Sequence, residues 1–182
     1  MKRSLIAGGT GMLAHMSTWV MKETEMTMVI GRNNKKLERL IPAGYRKAVR
    51  TEQMDYHDTE RLQQAIQNFI HCYGAIDCVI AWVHGNAPKT IPAILNQLNN
   101  SQKESWRFFH IKGSSTNIDI IQKKIDVPKK CLYREVQLGF KMEGNFSRWL
   151  THDEISSGVI DAIKNDRKKT IVGVLEPWEK RP

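Results

Sequence analysis

Residues 76 to 83 read Ile-Asp-Cys-Val-Ile-Ala-Trp-Val, an almost unbroken apolar run without a polar face. A strand with one face in water alternates apolar and polar side chains, because successive residues point to opposite sides of the sheet. A strand that is apolar on both sides must be covered on both. That is the situation of a parallel sheet packed between two layers of helices.

The rest of the chain alternates to suit. Short apolar and β-branched runs predict strands at Arg3 to Ala7, Thr27 to Ile30, Lys47 to Gln53, Trp106 to Ile111, Cys131 to Leu138 and Lys169 to Leu175. Helical spacing predicts helices over Met12 to Lys22, Asn34 to Leu40, Asp58 to about His71, Pro88 to about Leu98, and Thr151 to Ile163. Asp58 stands as an N-cap before an apolar face of Leu62, Ala65, Ile66, Phe69 and Ile70. Thr151, with Glu154 three residues on, forms a capping-box pattern. Pro42-Ala43-Gly44 marks a turn into the third strand. With no internal repeat, linker or low-complexity tract, residues 1–182 are expected to form a single domain. Its fold class is α/β, a doubly wound, Rossmann-like parallel sheet in three layers.

Composition narrows the function classes. No apolar stretch approaches the length of a membrane span, and Gly8, Gly9 and Gly11 interrupt any signal-peptide core behind Met1-Lys2-Arg3. Cys72, Cys78 and Cys131 lack metal-ligand spacing, so they read as free thiols of a reducing, cytoplasmic setting. The net charge is +9, but its lysines and arginines are dispersed in short groups such as Lys35-Lys36, Lys129-Lys130 and Arg167-Lys168-Lys169. A nucleic-acid surface calls for a continuous basic stripe, which these groups do not make.

The turn after the first strand carries the strongest chemical signal. Residues 5 to 17 read LIAGGTGMLAHMS, with Gly8, Gly9, Thr10 and Gly11 between the strand and the helix. Glycine is costly to order, so such a concentration implies that something approaches the backbone closely. In a doubly wound sheet this is where a dinucleotide pyrophosphate meets the free N–H groups and positive dipole of a helix N-terminus. The spacing is Gly8-x-x-Gly11-x-x-Ala14, and the cofactor-binding stretch extends through Met12 and Leu13. Gly11 is expected to need positive φ, where a β-branched residue is disfavoured. The second strand ends in Gly31-Arg32 with no carboxylate. An NAD site uses an acidic residue there for the ribose 2′-OH, whereas Arg32 suits the 2′-phosphate of NADP.

These segments together resemble the short-chain dehydrogenase/reductase family, particularly its atypical members. The resemblance rests on AGGTGMLA, GRNNKKLERL, MDYHD, IDCVIAWVHG and FFHIKGSS, in order through most of the chain. It implies that Asp55 contacts the adenine amino group with Tyr56 beside it. It also implies that Ala81-Trp82-Val83-His84 lines the adenine-ribose side, in place of the family's Asn-Asn-Ala-Gly. Ser114 or Ser115 matches the catalytic serine.

The family's Tyr-x-x-x-Lys pair has no counterpart. Between Ser115 and Cys131 there is no tyrosine, Pro128 opposes a helix, and Tyr133 is followed four residues on by Gln137. Ser114 and His84 are therefore the candidate catalytic residues, His84 as a general acid at the end of the fourth strand. A strand-end histidine satisfied by a backbone carbonyl is the simpler alternative for His84. His57, His71 and His110 read as structural, and Met12, Met16 and Met21 as helix packing. Trp82 reads as core or as a wall beside the adenine. No metal site is expected. Two readings follow: an NADP(H)-dependent oxidoreductase with non-standard catalysis on a small-molecule substrate, or an NADP(H)-binding sensor without turnover. A homo-oligomer is a further expectation, although the segment between Ser115 and Cys131 is too short for the full helix that family members often use to dimerise.

Overall fold

The computed structural model describes residues 1–83, 87–114 and 125–182. Seven parallel strands form one sheet: β1 (Arg3–Ala7), β2 (Met26–Gly31), β3 (Val49–Gln53), β4 (Cys78–Ala81), β5 (Trp106–Lys112), β6 (Cys131–Leu138) and, last in the chain, β9 (Lys169–Val172). Their order is β3-β2-β1-β4-β5-β6-β9. The order reverses between β1 and β4, and the crevice at their carboxyl ends is where such sheets take ligands. The expected α/β fold class holds.

Helices cover both faces. On one lie α1 (Ala14–Glu23), α2 (Asn34–Leu40) and α5 (His152–Asn165), packing Met16, Leu37 and Val159 against Ile6, Val29 and Phe109. On the other lie α3 (Thr59–Tyr73) and α4 (Thr90–Ser101), packing Ile66 and Leu95 against Leu5, Val79 and Phe108. The local start signals are realised. The side chains of Asn33, Asp58 and Thr151 each accept a backbone N–H, and Thr151 with Glu154 completes the capping box.

Several boundaries differ from expectation. The first helix begins at Ala14, because Met12 and Leu13 belong to the turn before it. A short 3₁₀ turn, Arg46–Ala48, precedes β3 and delays it to Val49. Regular β4 pairing is confined to Cys78–Ala81, although the apolar run continues beyond it. The last strand stops at Val172, since Gly173 takes a φ of 79° and turns Val174 into an antiparallel bridge with Phe140. Sequence analysis also missed a hairpin, β7 (Phe140–Glu143) with β8 (Phe146–Trp149), around Gly144-Asn145.

The connection from β6 to β9 runs through that hairpin and α5, which shares a face with α1. The chain steps along the sheet in the same direction as from β4 to β5, yet its helix lies on the opposite face from α4. This crossover therefore has the opposite hand to the β4–β5 crossover, an exception to the strong right-handed rule.

Candidate functional site

The glycine turn divides its work among its members. Gly8 sits at φ 82°, and a Cβ there would lie 2.0 Å from the carbonyl oxygen of Trp82. A Cβ on Gly9 would lie 2.2 Å from the Ser17 hydroxyl, which donates to the Gly9 carbonyl at 3.0 Å. Both glycines are demanded by the packing of β1 against β4 and α1. Gly11 is different: it is exposed, and a Cβ there would meet nothing within 4 Å. Positive φ belongs to Gly8, not to Gly11, which corrects the expectation from sequence. Space over the turn, rather than backbone strain, distinguishes Gly11.

Behind Gly11, α1 opens without a side-chain cap and with no acidic residue in its first turn. The first N–H of the helix, that of Ala14, donates to the Gly11 carbonyl at 2.9 Å. Thr10 is half-buried, and a Cβ on Gly31 would lie 3.3 Å from its methyl, so the turn packs against the end of β2. Met12 is half-buried, and its carbonyl accepts the Ser156 hydroxyl of α5 at 3.0 Å. Leu13 is fully buried, so it can offer a ligand only backbone.

On the β2–β3 side, Arg32 follows Gly31 and is exposed. Among the described residues, no carboxylate lies within ion-pair distance of its guanidinium. Asp55 and Tyr56 follow β3 in the loop next to it. The Asp55 carboxylate accepts the His57 backbone N–H at 3.1 Å and contacts His57 Nδ1 at 2.7 Å. These contacts hold its pKa below the ordinary value, with a smaller effect from Arg32. The Tyr56 hydroxyl donates to the Ile30 carbonyl at 3.4 Å, and burial raises its pKa against the opposing effects of Arg32 and the Gly8 amide. Thr90, opening α4, donates to the Tyr56 carbonyl at 2.9 Å. The loop after β3 is thereby fixed beside the glycine turn.

On the opposite side, β4 ends at buried Ala81, and the Trp82 amide donates to the Ala7 carbonyl at 2.9 Å. Trp82 and Val83 are half-buried. The indole reaches across the edge, its tip 3.6 Å from where a Cβ on Gly113 would stand. Ser114 follows at the carboxyl end of β5 and is half-buried. His84 and Ser115 lie outside the described residues. The structure thus gathers the turn, Arg32, the Asp55-Tyr56 loop and Trp82 along one edge, with Ser114 just past β5.

Sequence reasoning missed a buried polar group on one face of β5 and β6. His110 Nδ1 meets the Tyr133 hydroxyl at 2.5 Å, and Lys112 Nζ donates to the Glu135 carboxylate, with both of those side chains 2% exposed. The ammonium also lies 5.9 Å from the centre of the Tyr133 ring. Burial and the nearby Lys112 charge push the His110 pKa down to about 3, keeping the ring neutral. Burial, then Glu135, pushes the Tyr133 hydroxyl well above its usual range. The signal was present in the sequence: His110 and Lys112, then Tyr133, Glu135 and Gln137, fall at every second position of their strands.

No family profile and no curated protein sequence matches this chain. Solved structures do. A short-chain dehydrogenase/reductase from Brucella melitensis, described as a glucose/ribitol dehydrogenase, superposes with a TM-score of 0.67 at 9% identity over 93% of this chain and 94% of its own. A short-chain dehydrogenase from Bacillus anthracis gives 0.65 at 15% identity over 94% of each chain. An alcohol dehydrogenase from the archaeon Thermococcus sibiricus, complexed with 5-hydroxy-NADP, gives 0.65 at 14% identity over 96% of each. Such likeness at low identity is a likeness of architecture. This chain has the fold of the short-chain dehydrogenases/reductases.

Proposed function

We propose that the chain binds a nicotinamide dinucleotide, NADP(H) in preference to NAD(H), and acts as an oxidoreductase on a small-molecule substrate. The observation that carries this reading is the combination at the switch point. Exposed Gly11 has nothing within 4 Å of its would-be Cβ and lies next to an α1 terminus with no side-chain cap. Free N–H groups there suit a pyrophosphate. Arg32 suits a 2′-phosphate, and Asp55, Tyr56, Ala81, Trp82 and Val83 flank the adenine-ribose side. Bound there, the cofactor would supply or accept a hydride. The Ser114 hydroxyl is the described polar group offered to a substrate oxygen at the end of β5, and His84 remains the proposed acid.

One observation favours turnover-free binding as the second reading. The tyrosine that follows Ser114 in the chain is Tyr133, which lies within β6 and is hydrogen-bonded to His110. It is not on a helix facing the edge.

Tryptophan-fluorescence titration with NADPH and NADH tests the binding claim. NADPH is expected to bind about ten- to a hundredfold more tightly, the worth of one charge-assisted phosphate contact, and Arg32→Ala should remove the difference. Gly11→Val should abolish binding while circular dichroism stays native. Equal affinities, or an unaffected Arg32→Ala, would refute the NADP preference. NADPH oxidation over ketones, aldehydes and quinones, for the wild type, Ser114→Ala and His84→Ala, separates the two readings. Turnover that falls in either variant supports the enzyme; tight binding with no turnover on any acceptor supports the sensor.

A further inference from the structure

A second concave site lies away from the nucleotide edge, between the outer strand β3 and helix α3. It is a groove of about 420 Å³, within the size range of small-molecule sites. Buried Met28, Met54 and Phe69 line it, and Arg50, Arg61 and Glu52 contribute its charges. None of Gly11, Arg32, Asp55 or Tyr56 belongs to it. Because β3 is the last strand on its side, nothing beyond it closes the sheet face that α3 leaves uncovered.

The cations are arranged in a particular way. Arg50 Nε donates to the Tyr73 hydroxyl at 2.6 Å and Nη1 to the Val49 carbonyl at 3.1 Å, with the guanidinium carbon 5.3 Å from the Tyr73 ring centre. Three contacts therefore hold the planar group in place, and its Nη2 has no partner among the described residues. A guanidinium already held still loses little freedom on meeting a carboxylate. Arg61, on α3, also lines the groove and is without an ion pair among the described residues. Glu52 is the single carboxylate in the lining, so the groove carries an excess of one positive charge. Methionine and phenylalanine beneath it make an adaptable apolar floor.

We propose that this groove binds an amphipathic monocarboxylate, its carboxylate on Arg50 and its apolar body along Phe69, Met28 and Met54 toward Arg61. An apolar floor alone would take neutral molecules equally well. The fixed guanidinium and the net charge select the anion.

Cys72 provides the readout. It lines the groove and is exposed, whereas Cys78 and Cys131 are buried and their thiols are pushed up to about 12 by that burial. Alkylation by neutral iodoacetamide at pH 8 therefore reports Cys72. Octanoate is expected to slow alkylation saturably, while octanol at the same concentration and acetate do not. Arg50→Gln should raise the octanoate concentration needed by about tenfold, with circular dichroism unchanged. NADPH titration of the same samples should be unaffected, so failure here and failure at the nucleotide site are separable. Absence of protection by octanoate, equal protection by octanol, or an unchanged requirement in Arg50→Gln would each overturn the assignment.

Discussion

Replacing Lys112 by methionine keeps most of the side chain's apolar volume and removes the cation that faces Glu135 within the sheet. Both side chains are 2% exposed, so water cannot replace the lost partner. Breaking one member of a buried pair costs about 3–5 kcal/mol, because the remaining charge stays where it is poorly solvated. A domain's whole stability is typically about 5–15 kcal/mol. At roughly 2–4 °C per kcal/mol for a chain of this size, Lys112→Met should lower the melting temperature by about 6–20 °C. The double variant Lys112→Met/Glu135→Leu should recover most of that loss or exceed the wild type, since two well-packed apolar residues avoid the desolvation of both ions. Urea unfolding followed by tryptophan fluorescence gives the three stabilities. A loss under about 1 kcal/mol in Lys112→Met would refute the argument. So would a double variant no more stable than the single one, because the pair would then not be the unit that matters.

Gly8→Ala should destabilise the fold by a few kcal/mol, since it combines a φ of 82° with a contact to the Trp82 carbonyl, whereas Gly11→Ala should leave the urea midpoint within about 0.5 kcal/mol of wild type. Equal effects at the two positions would mean the division of labour in the turn is wrong. His110 predicts an acid-sensitive window. Its folded pKa of about 3 lies below its ordinary 6.5, so the unfolded chain binds the extra proton between them. The associated stability is complete above 6.5 and is lost as the pH falls toward 3, with a slope approaching about 1.4 kcal/mol per pH unit. Between pH 6.5 and about 5.5 the carboxylates are still largely ionised, so His110→Gln should flatten the urea-stability profile there; an unchanged profile would show that His110 does not set it.

Features carried by a few adjacent residues were legible in the sequence. Asn33, Asp58 and Thr151 are caps whose partners lie three residues away, so local chemistry suffices to read them. Leu13 precedes α1 without a capping side chain, and the start of that helix was misplaced by two residues. The Gly144-Asn145 turn is a recognised hairpin signal, but Phe146 and Trp149 are exposed on a strand too short to show a clear alternation. What depends on distant contacts could not be read locally. The need for glycine at position 8 comes from the Trp82 carbonyl, just past the end of β4, and the hand of the β6–β9 crossover is set by α5 packing on α1.

The same distinction separates the proposed nucleotide half of the site from the proposed catalytic half. A phosphate-binding turn is one short segment, whereas a proton donor is defined by where the sheet register places it. Tyr133 pairs with Phe108, while Lys112 pairs with Gln137, four residues nearer the carboxyl edge. At about 3.3 Å per residue, Tyr133 begins about 13 Å below that edge. Its hydroxyl is spent on buried His110 at 2.5 Å. A general acid must come within hydrogen-bond reach of the atom it protonates. Tyr133 therefore does not stand in for a catalytic tyrosine, although it is the first tyrosine after Ser114 and has a lysine ammonium over its ring. Among the described residues, Ser114 at the end of β5 is a hydroxyl placed to serve a reduction at this edge, beside the proposed acid His84.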